Sequence, residues 1–268
     1  MIDPSFSNPP RQTADGPTDF RPVFGGFIEW SIDAMASQNG QLSQINLKQL
    51  SSDDVNGFLD SLLVELAARN VPLPRHGRIS NPQSRAQFLY EEGKLDFGQV
   101  NECEGGKGFP ARVGNLPDPD APDDVYSRTP PADGEIASGG HTADARALLN
   151  ATGSHWKKHN VRPGPFNVIW EYRQVHKTRR WSYWITKAGW NHNEPLAREH
   201  FEDKPFQVFL NTFQPYHAPG SDVLYPPPIH QHTMTLPDRA GYHVILAVWD
   251  VANTAAAFYQ VIDVNFTP

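Results

Sequence analysis

The chain of 268 residues contains one cysteine, Cys103. A single thiol excludes an intrachain disulfide and any metal cluster built from several cysteines. The sequence lacks an apolar run of the roughly 18 residues that a membrane-spanning helix needs. Its first ten residues also lack the cationic start and apolar core of a signal peptide. We therefore expect a chain that is made in the reducing cytoplasm without a recognisable signal peptide.

The net charge of -7 provides little positive potential. Proteins that bind nucleic acid or anionic lipid usually carry a basic face, so the sequence predicts neither a nucleic-acid partner nor a membrane partner. Several familiar catalytic motifs are missing too, namely the phosphate-binding glycine loop, Gly-x-Ser-x-Gly and His-Glu-x-x-His. Nucleotide hydrolases, serine hydrolases and zinc proteases of the usual kinds lose their main support.

What the sequence does have is proline, with 25 residues, and aromatic side chains, which make up 11% of the chain. This composition favours short segments and long irregular connections over a helical bundle. Segments of large residues, several alternating at period two, predict strands at 166–172, 181–186, 206–213, 242–250 and 257–266. The fold class expected is mainly β, an immunoglobulin- or fibronectin-III-like antiparallel β-sandwich. Its loop region is long and partly helical, with irregular chain at 116–135 and a helical piece at 143–150.

The first 75 residues have a different texture. Apolar residues with helical spacing predict an amphipathic helix near 52–70. The proline-rich segment Val71–Arg75 then predicts an extended linker, so we expect a boundary between Arg75 and His76. The predicted organisation is a small, partly helical propeptide or docking segment, residues 1–75, followed by a domain at residues 76–268.

Eleven histidines offer candidate metal ligands, because the neutral imidazole is the commonest transition-metal ligand in proteins. His230 and His232, two residues apart, fit two interpretations. An extended segment would present both imidazoles on one side as a metal site, or they are ordinary hydrogen-bonded residues in a proline-rich loop.

Several blocks of sequence resemble one known family in order along the chain. The sequence is similar to the mature start of bacterial lytic polysaccharide monooxygenases, copper enzymes built on the chitin-binding type-4 domain. The matching blocks are His76–Arg85, Glu104–Pro110, Ala132–Gly140, His176–Trp190, Gly241–Asp250 and Ala257–Val264. The resemblance therefore covers all of residues 76–268.

The resemblance implies a copper ion in a histidine brace formed by His76 and His176, where the N-terminal histidine binds through its α-amine and its side chain. An external electron donor would reduce the copper, and O2 or H2O2 would be the co-substrate. The reaction implied is oxidative cleavage of crystalline chitin or a related β-1,4-glycan, with chitin favoured over cellulose. The other residues implied are Phe258 as the axial aromatic, Glu104 as the acid that positions the oxygen species, Gln174 beside the axial face, Trp249 beneath the site, and Arg78 and Lys177 as substrate contacts.

The sequence departs from the family pattern at several positions. Secreted members usually carry disulfides, whereas this chain has Cys103 alone and has His232 near a usual cysteine position. Asn253 and Ala256 stand where members commonly have Asp and Asn. The resemblance still implies a protein that acts outside the cell, after non-classical export or release.

His76 is not an N-terminus in the chain as written, so its nitrogen is a peptide amide rather than an amine. We expect cleavage after Arg75 by a trypsin-like protease to free the His76 amine, the uncut chain being an inactive proform. The alternative is a non-catalytic chitin-binding module that is delivered or anchored by its N-terminal segment.

Overall fold

The computed structural model describes residues 76–268. Two sheets pack face to face within this range. The three-stranded sheet has the order β1–β4–β7, and the larger sheet has the order β2–β9–β8–β5–β6, with β3 added against β9. The strands are β1 Gly77–Asn81, β2 Glu104–Gly106, β3 His159–Val161, β4 Gly164–Tyr172, β5 Thr178–Ile185, β6 Gln207–Leu210, β7 Ile229–Leu236, β8 Gly241–Val251 and β9 Ala256–Phe266.

Helices are few and short in the described part of the chain. Two α-helices, α1 Arg85–Glu91 and α2 Phe97–Asn101, fill the connection between β1 and β2. Ser84 and Asp96 begin them, because each side chain accepts a hydrogen bond from a backbone N–H three residues later. Single 3-10 turns lie at Ile136–Ser138, Ala145–Asn150, Arg198–His200 and Ser221–Leu224. In residues 76–268 we find no helix long and apolar enough to span a membrane.

The predicted mainly β sandwich is confirmed, and five of its strands lie where alternation predicted them. Pairing is antiparallel except between β3 and β9, which run parallel. The predicted strand at 206–213 is shorter, Gln207–Leu210, and the helical piece at 143–150 is the 3-10 turn Ala145–Asn150. The predicted boundary before His76 stays a prediction, and the predicted helix near 52–70 lies outside the described residues.

The interpretation that placed His230 and His232 in a proline-rich loop was wrong, because both residues lie in strand β7. The strand pairs with β4 along its whole length, with Val168 opposite His232 and Trp170 opposite His230. Alternation along β7 buries His232, Met234 and Leu236 in the core between the sheets. The proline-rich segment ends just before the strand begins.

The core of the sandwich is rich in aromatic rings that are joined by hydrogen bonds. Trp170 donates from Nε1 to the Tyr183 hydroxyl over 2.9 Å, and that hydroxyl lies 2.6 Å from Nδ1 of His232. Because the Tyr183 oxygen already accepts from Trp170, its proton is free to bind the His232 nitrogen. Burial, with a smaller contribution from His230, lowers the pKa of His232 to about 3.

A buried histidine with a lowered pKa makes stability depend on pH. Below about pH 6.5 the unfolded chain binds a proton at His232, whereas the folded chain does not. The contribution of neutral His232 to the free energy of unfolding is therefore complete above about pH 6.5 and is lost as the pH falls toward 3. The free energy of unfolding should fall between pH 7 and pH 5 in the parent chain, and in His232→Asn we expect that fall to be smaller by about 2 kcal/mol. Urea unfolding at the two pH values measures it, with the exposed His155→Asn as control; equal pH dependence in parent and His232→Asn would contradict it.

Candidate metal centre

His76 is fixed at the point where β1 begins. Gly77 pairs with Tyr172 of β4, and the N–H of Arg173 donates to the His76 carbonyl over 2.8 Å. A Cβ at residue 77 would lie 2.4 Å from the Tyr172 ring, so only glycine lets the backbone come this close. The imidazole of His76 is therefore held at one end of the sandwich by the β1–β4 ladder.

His176 reaches the same place from the connection between β4 and β5. Its ring centroid is 6.4 Å from that of His76, 6.1 Å from Phe258 and 6.0 Å from Trp249. The hydroxyl of Thr178, the first residue of β5, donates to the His176 carbonyl over 3.1 Å and accepts from Trp249 Nε1 over 2.7 Å. This bridge ties the histidine to β8.

Phe258 forms the floor below both histidines. It is buried in β9, with its ring centroid 4.9 Å from that of His76, and Trp249 of β8 stacks on it at 4.6 Å. Trp249 and Phe258 face each other across the β8–β9 ladder, so strand register sets the stack. Trp249 thus lies beneath the site, as predicted.

Two carboxylates face the His76 ring. Glu104 is opposite Phe258 in the β2–β9 pairing, and its Oε2 lies 2.9 Å from His76 Nε2. Arg128 holds the other oxygen, Oε1, at 2.8 Å. On the opposite edge of the ring, Glu102 Oε1 lies 3.1 Å from His76 Nδ1. The predicted residue Glu104 is thus at the centre, whereas Glu102 and Arg128 were not predicted.

The charges around His76 are strongly coupled. Burial opposes the charged imidazole, but the interactions with Glu102 and Glu104 outweigh it and raise the pKa of His76. The His76 ring, whose Nδ1 lies 3.1 Å from Glu102, in turn lowers the pKa of that carboxyl group. For Glu104, burial acts in the upward direction, yet His76 and Arg128 prevail and its pKa is lowered. The site therefore favours positive charge at the His76 ring, between the ionised carboxylates of Glu102 and Glu104.

The residues fit a bound metal ion. Nδ1 of His76 is buried and makes no hydrogen bond, although a carboxylate oxygen lies near it. A ring nitrogen whose lone pair faces an anion calls for a proton or a metal ion between them. The 6.4 Å between the His76 and His176 ring centroids also agrees with two imidazole radii plus two metal–nitrogen bonds of about 2 Å.

The structure corrects the predicted substrate contact at Arg78. The residue is only 6% exposed and so does not lie on the surface. It donates to Gln87, Asn101 and Glu171, so all three nitrogens are used. Charged side chains are buried only when their hydrogen bonds are met in this way. Arg78 is neither a substrate contact nor a solvated surface charge.

The side chains of Lys177, a predicted substrate contact, and of Gln174 both face the interior of the protein. The Lys177 ammonium turns away from solvent and donates to Ser221 Oγ over 2.7 Å and to the Tyr216 carbonyl over 3.1 Å. The Gln174 side-chain oxygen is buried and makes no hydrogen bond within residues 76–268, and neither does the Asn253 side-chain oxygen. Gln174 is two residues before His176, and Asn253 lies in the turn between β8 and β9.

Sequence reasoning missed Glu102 and Arg128 for different reasons. Glu102 lies two residues before Glu104, and that short spacing was a usable signal that both carboxylates reach the same site. Arg128 comes from the long irregular region, and no local pattern predicts which residue such a loop brings to Glu104.

A second group of possible ligands, Glu194, Glu199 and His200, lies elsewhere in the described chain. The Ala197 N–H donates to His200 Nδ1 over 3.1 Å, so the proton of a neutral ring is on Nε2, which lies 3.3 Å from Glu194. That nitrogen has no lone pair for a metal. We interpret the contact between His200 and Glu194 as a structural hydrogen bond.

Comparison with known proteins defines the class first. Residues 76–264 match the family model described as "Lytic polysaccharide mono-oxygenase, cellulose-degrading". The chain belongs to this family, a class of copper-dependent monooxygenases. Both the family resemblance and the sandwich fold are thereby confirmed.

Individual proteins sharpen the comparison. The crystal structure of a chitin binding domain from Burkholderia pseudomallei is 61% identical, with a TM-score of 0.71, and covers 72% of this chain and 100% of that one. A Bacillus amyloliquefaciens CBM33 protein in complex with Cu(I) is 35% identical, with a TM-score of 0.54 and coverage of 72% and 100%. GlcNAc-binding protein A of Vibrio vulnificus is 43% identical over 143 residues, which are 53% of this chain and 27% of that protein. The chain thus matches about a quarter of the length of that relative.

Proposed function

We propose that residues 76–268 cleave crystalline chitin oxidatively with one copper ion, held by His76 and His176 after cleavage behind Arg75. The observation that carries this proposal is the convergence of two histidines, a buried phenylalanine and a carboxylate at one end of the sandwich. Bound copper would supply the redox chemistry, by accepting an electron from an external donor and activating O2 or H2O2. The names of the similar proteins, a chitin binding domain and a GlcNAc-binding protein, favour chitin as the substrate.

Each residue has a defined task in this proposal. Phe258 closes one side of the site with a ring that offers no ligand atom, and Trp249 keeps that ring in place. Glu104, held by Arg128 at 2.8 Å, presents a carboxylate beside His76 that can accept a hydrogen bond and orient what binds there. The side-chain oxygen of Gln174, two residues before His176, is unused and can bind water.

Latency is the second part of the proposal. In the uncut chain the His76 nitrogen is a peptide amide, which is a poor copper ligand at neutral pH, whereas a free α-amine has a pKa near ~8. Arg75 precedes it, and an arginine after an extended proline-rich segment suits a trypsin-like protease. Release from the cell would then come before or together with activation.

Copper titration of the full chain before and after trypsin treatment tests the proposal. We expect tight binding of one copper only in the form whose N-terminal sequence begins at His76, and oxidised chito-oligosaccharides only from that form with a reductant. An Arg75–His76 bond that resists trypsin in the folded chain would contradict the latency. Tight copper binding without oxidised products would contradict the enzymatic role.

The alternative is a non-catalytic chitin-binding module, and the amide nitrogen at His76 of the uncut chain favours it for that form. The same experiment separates the two functions. Chitin binding with no copper-dependent products from either form supports the module. Products from cellulose rather than chitin would reassign the substrate, in line with the description of the family model.

A further inference from the structure

The connection between β6 and β7, residues 211–228, is fastened to the chain on both sides of His176. We call it the β6–β7 loop. At its start, Asn211 N–H donates to the Arg179 carbonyl over 2.8 Å, and the Arg179 guanidinium donates to the Phe213 carbonyl over 3.1 Å. At its end, Tyr172 N–H donates to the Pro228 carbonyl over 2.8 Å. Long loops with such fixed ends are commonly functional.

Lys177, the residue after His176, fastens the middle of the loop. Its ammonium binds Ser221 and the Tyr216 carbonyl and lies 5.5 Å from the centre of the Tyr225 ring, a cation–π contact. Ser221 and Leu224 are 3% and 1% exposed, so the loop has a packed interior of its own. The loop is therefore preorganised beside the metal centre.

The loop also lies close to His76. The N–H groups of Tyr172 and Arg173 point to opposite sides of β4, one to Pro228 and the other to His76. Strands in a sheet are about 4.8 Å apart, so Pro228 and His76 are roughly 10 Å from each other across β4. Tyr225 is three residues before Pro228, which places it near the rim of the same end of the sandwich.

The outer side of the loop exposes apolar groups. Tyr225 is 40% exposed and Val223 is 68% exposed, followed by Ile229 at 54% where β7 begins. The Lys177 ammonium lies 3.7 Å from the Asp222 carboxylate, which is 88% exposed, so the two opposite charges cancel at the edge of the patch. Apolar surface of this kind, next to a candidate site, marks a binding surface.

We propose that the β6–β7 loop is a substrate-binding extension of the metal centre, with Tyr225 as the ring on which an N-acetylglucosamine unit of chitin stacks. This inference rests on the proposed function for the identity of the polymer. A half-exposed tyrosine ring offers a flat apolar face to the C–H face of a sugar and a hydroxyl to its polar groups. An uncharged polymer suits a patch without net charge. Lys177 is a positioning residue that holds this surface and does not touch the sugar.

Binding of the full uncut chain to β-chitin, without copper, tests the inference. We expect Tyr225→Ala to weaken the affinity about fivefold or more and Tyr225→Trp to keep it, because stacking needs an aromatic ring. The matched control is Val208→Ala. Val208 is exposed to a similar degree, 39%, but it lies in β6 and outside the β6–β7 loop. It pairs with Ser182, which is six residues along the chain from His176. Near-UV circular dichroism of each variant confirms that the fold is kept.

The possible results of these binding measurements, together with an activity assay of the cut protein, separate this inference from the proposed function. Unchanged affinity in Tyr225→Ala would overturn it, as would a parent chain that binds cellulose and not chitin. A chain that binds chitin through Tyr225 but, once cut and loaded with copper, releases no oxidised sugars would contradict the proposed chemistry and leave the loop assignment standing. Lys177→Met is expected to lower affinity like Tyr225→Ala, with Lys177→Arg closer to the parent.

Discussion

Replacing His176 with alanine is expected to lower the copper affinity of the cut protein by more than about 100-fold and to abolish oxidised products. The reason is that His176 is one of two side chains whose rings lie 6.4 Å apart over Phe258, and its loss leaves a metal with the ligands of His76 alone. Removing a residue that only orients a ligand typically costs 10- to ~100-fold in metal affinity, so removing a ligand itself should cost more. Calorimetric titration and the electron paramagnetic resonance spectrum of Cu(II) measure the two effects.

The control for this change is His155→Ala, which removes an exposed histidine whose ring contacts Trp156 and neither His76 nor His176. Its copper affinity and spectrum should equal those of the parent. If His176→Ala kept the parent spectrum, the pairing of His76 with His176 as ligands would be wrong, even if activity were lost for another reason.

The second large effect is expected from the buried pair of Arg179 and Asp124. Both side chains are 1% exposed, and the guanidinium donates to the carboxylate through Nε at 2.8 Å and a second nitrogen at 3.0 Å. We expect Arg179→Met to lower the free energy of unfolding by about 3–5 kcal/mol, because it leaves an unpaired carboxylate in the interior. Urea denaturation of the full chain at pH 7 measures the change.

Two further variants make this prediction specific. Arg179→Met combined with Asp124→Leu removes both charges and should recover part of the loss, since a buried pair replaced by apolar groups is often tolerated. Asp203→Asn breaks an ion pair with Lys187 in which the carboxylate is 92% exposed, and should change stability by less than about 0.5 kcal/mol. Equal effects of Arg179→Met and Asp203→Asn would contradict the role given to the buried pair.

The strands were the part of the fold most accessible from sequence. In β9, residues 256–266, large side chains recur with the period of a strand, and that signal is local. β1 and β2 were missed as strands because they have five and three residues, too few for a periodic pattern. α1 and α2 were missed for the same reason, since their capping residues are clear only once the flanking turns are known.

The candidate site divides in the same way. His76, His176, Phe258 and Glu104 were proposed from blocks of sequence that resemble a family, and the structure brings all four together. Arg78 was misassigned because nothing near it in sequence says that Gln87, Asn101 and Glu171 will enclose it. A charged side chain is usually exposed, and it is buried only when partners from elsewhere in the chain satisfy its hydrogen bonds and charge.

The sequence by itself determined the family, the mainly β class and the ligand candidates, because these depend on residue identity and on short-range periodicity. Tertiary structure alone decided which charges surround His76, that Lys177 fastens the β6–β7 loop, and that Tyr225 stands exposed beside the site. The physical reason is that burial and electrostatic pairing arise between residues far apart in the chain. Glu104 and Phe258 are separated by most of the domain, yet strand register sets them face to face.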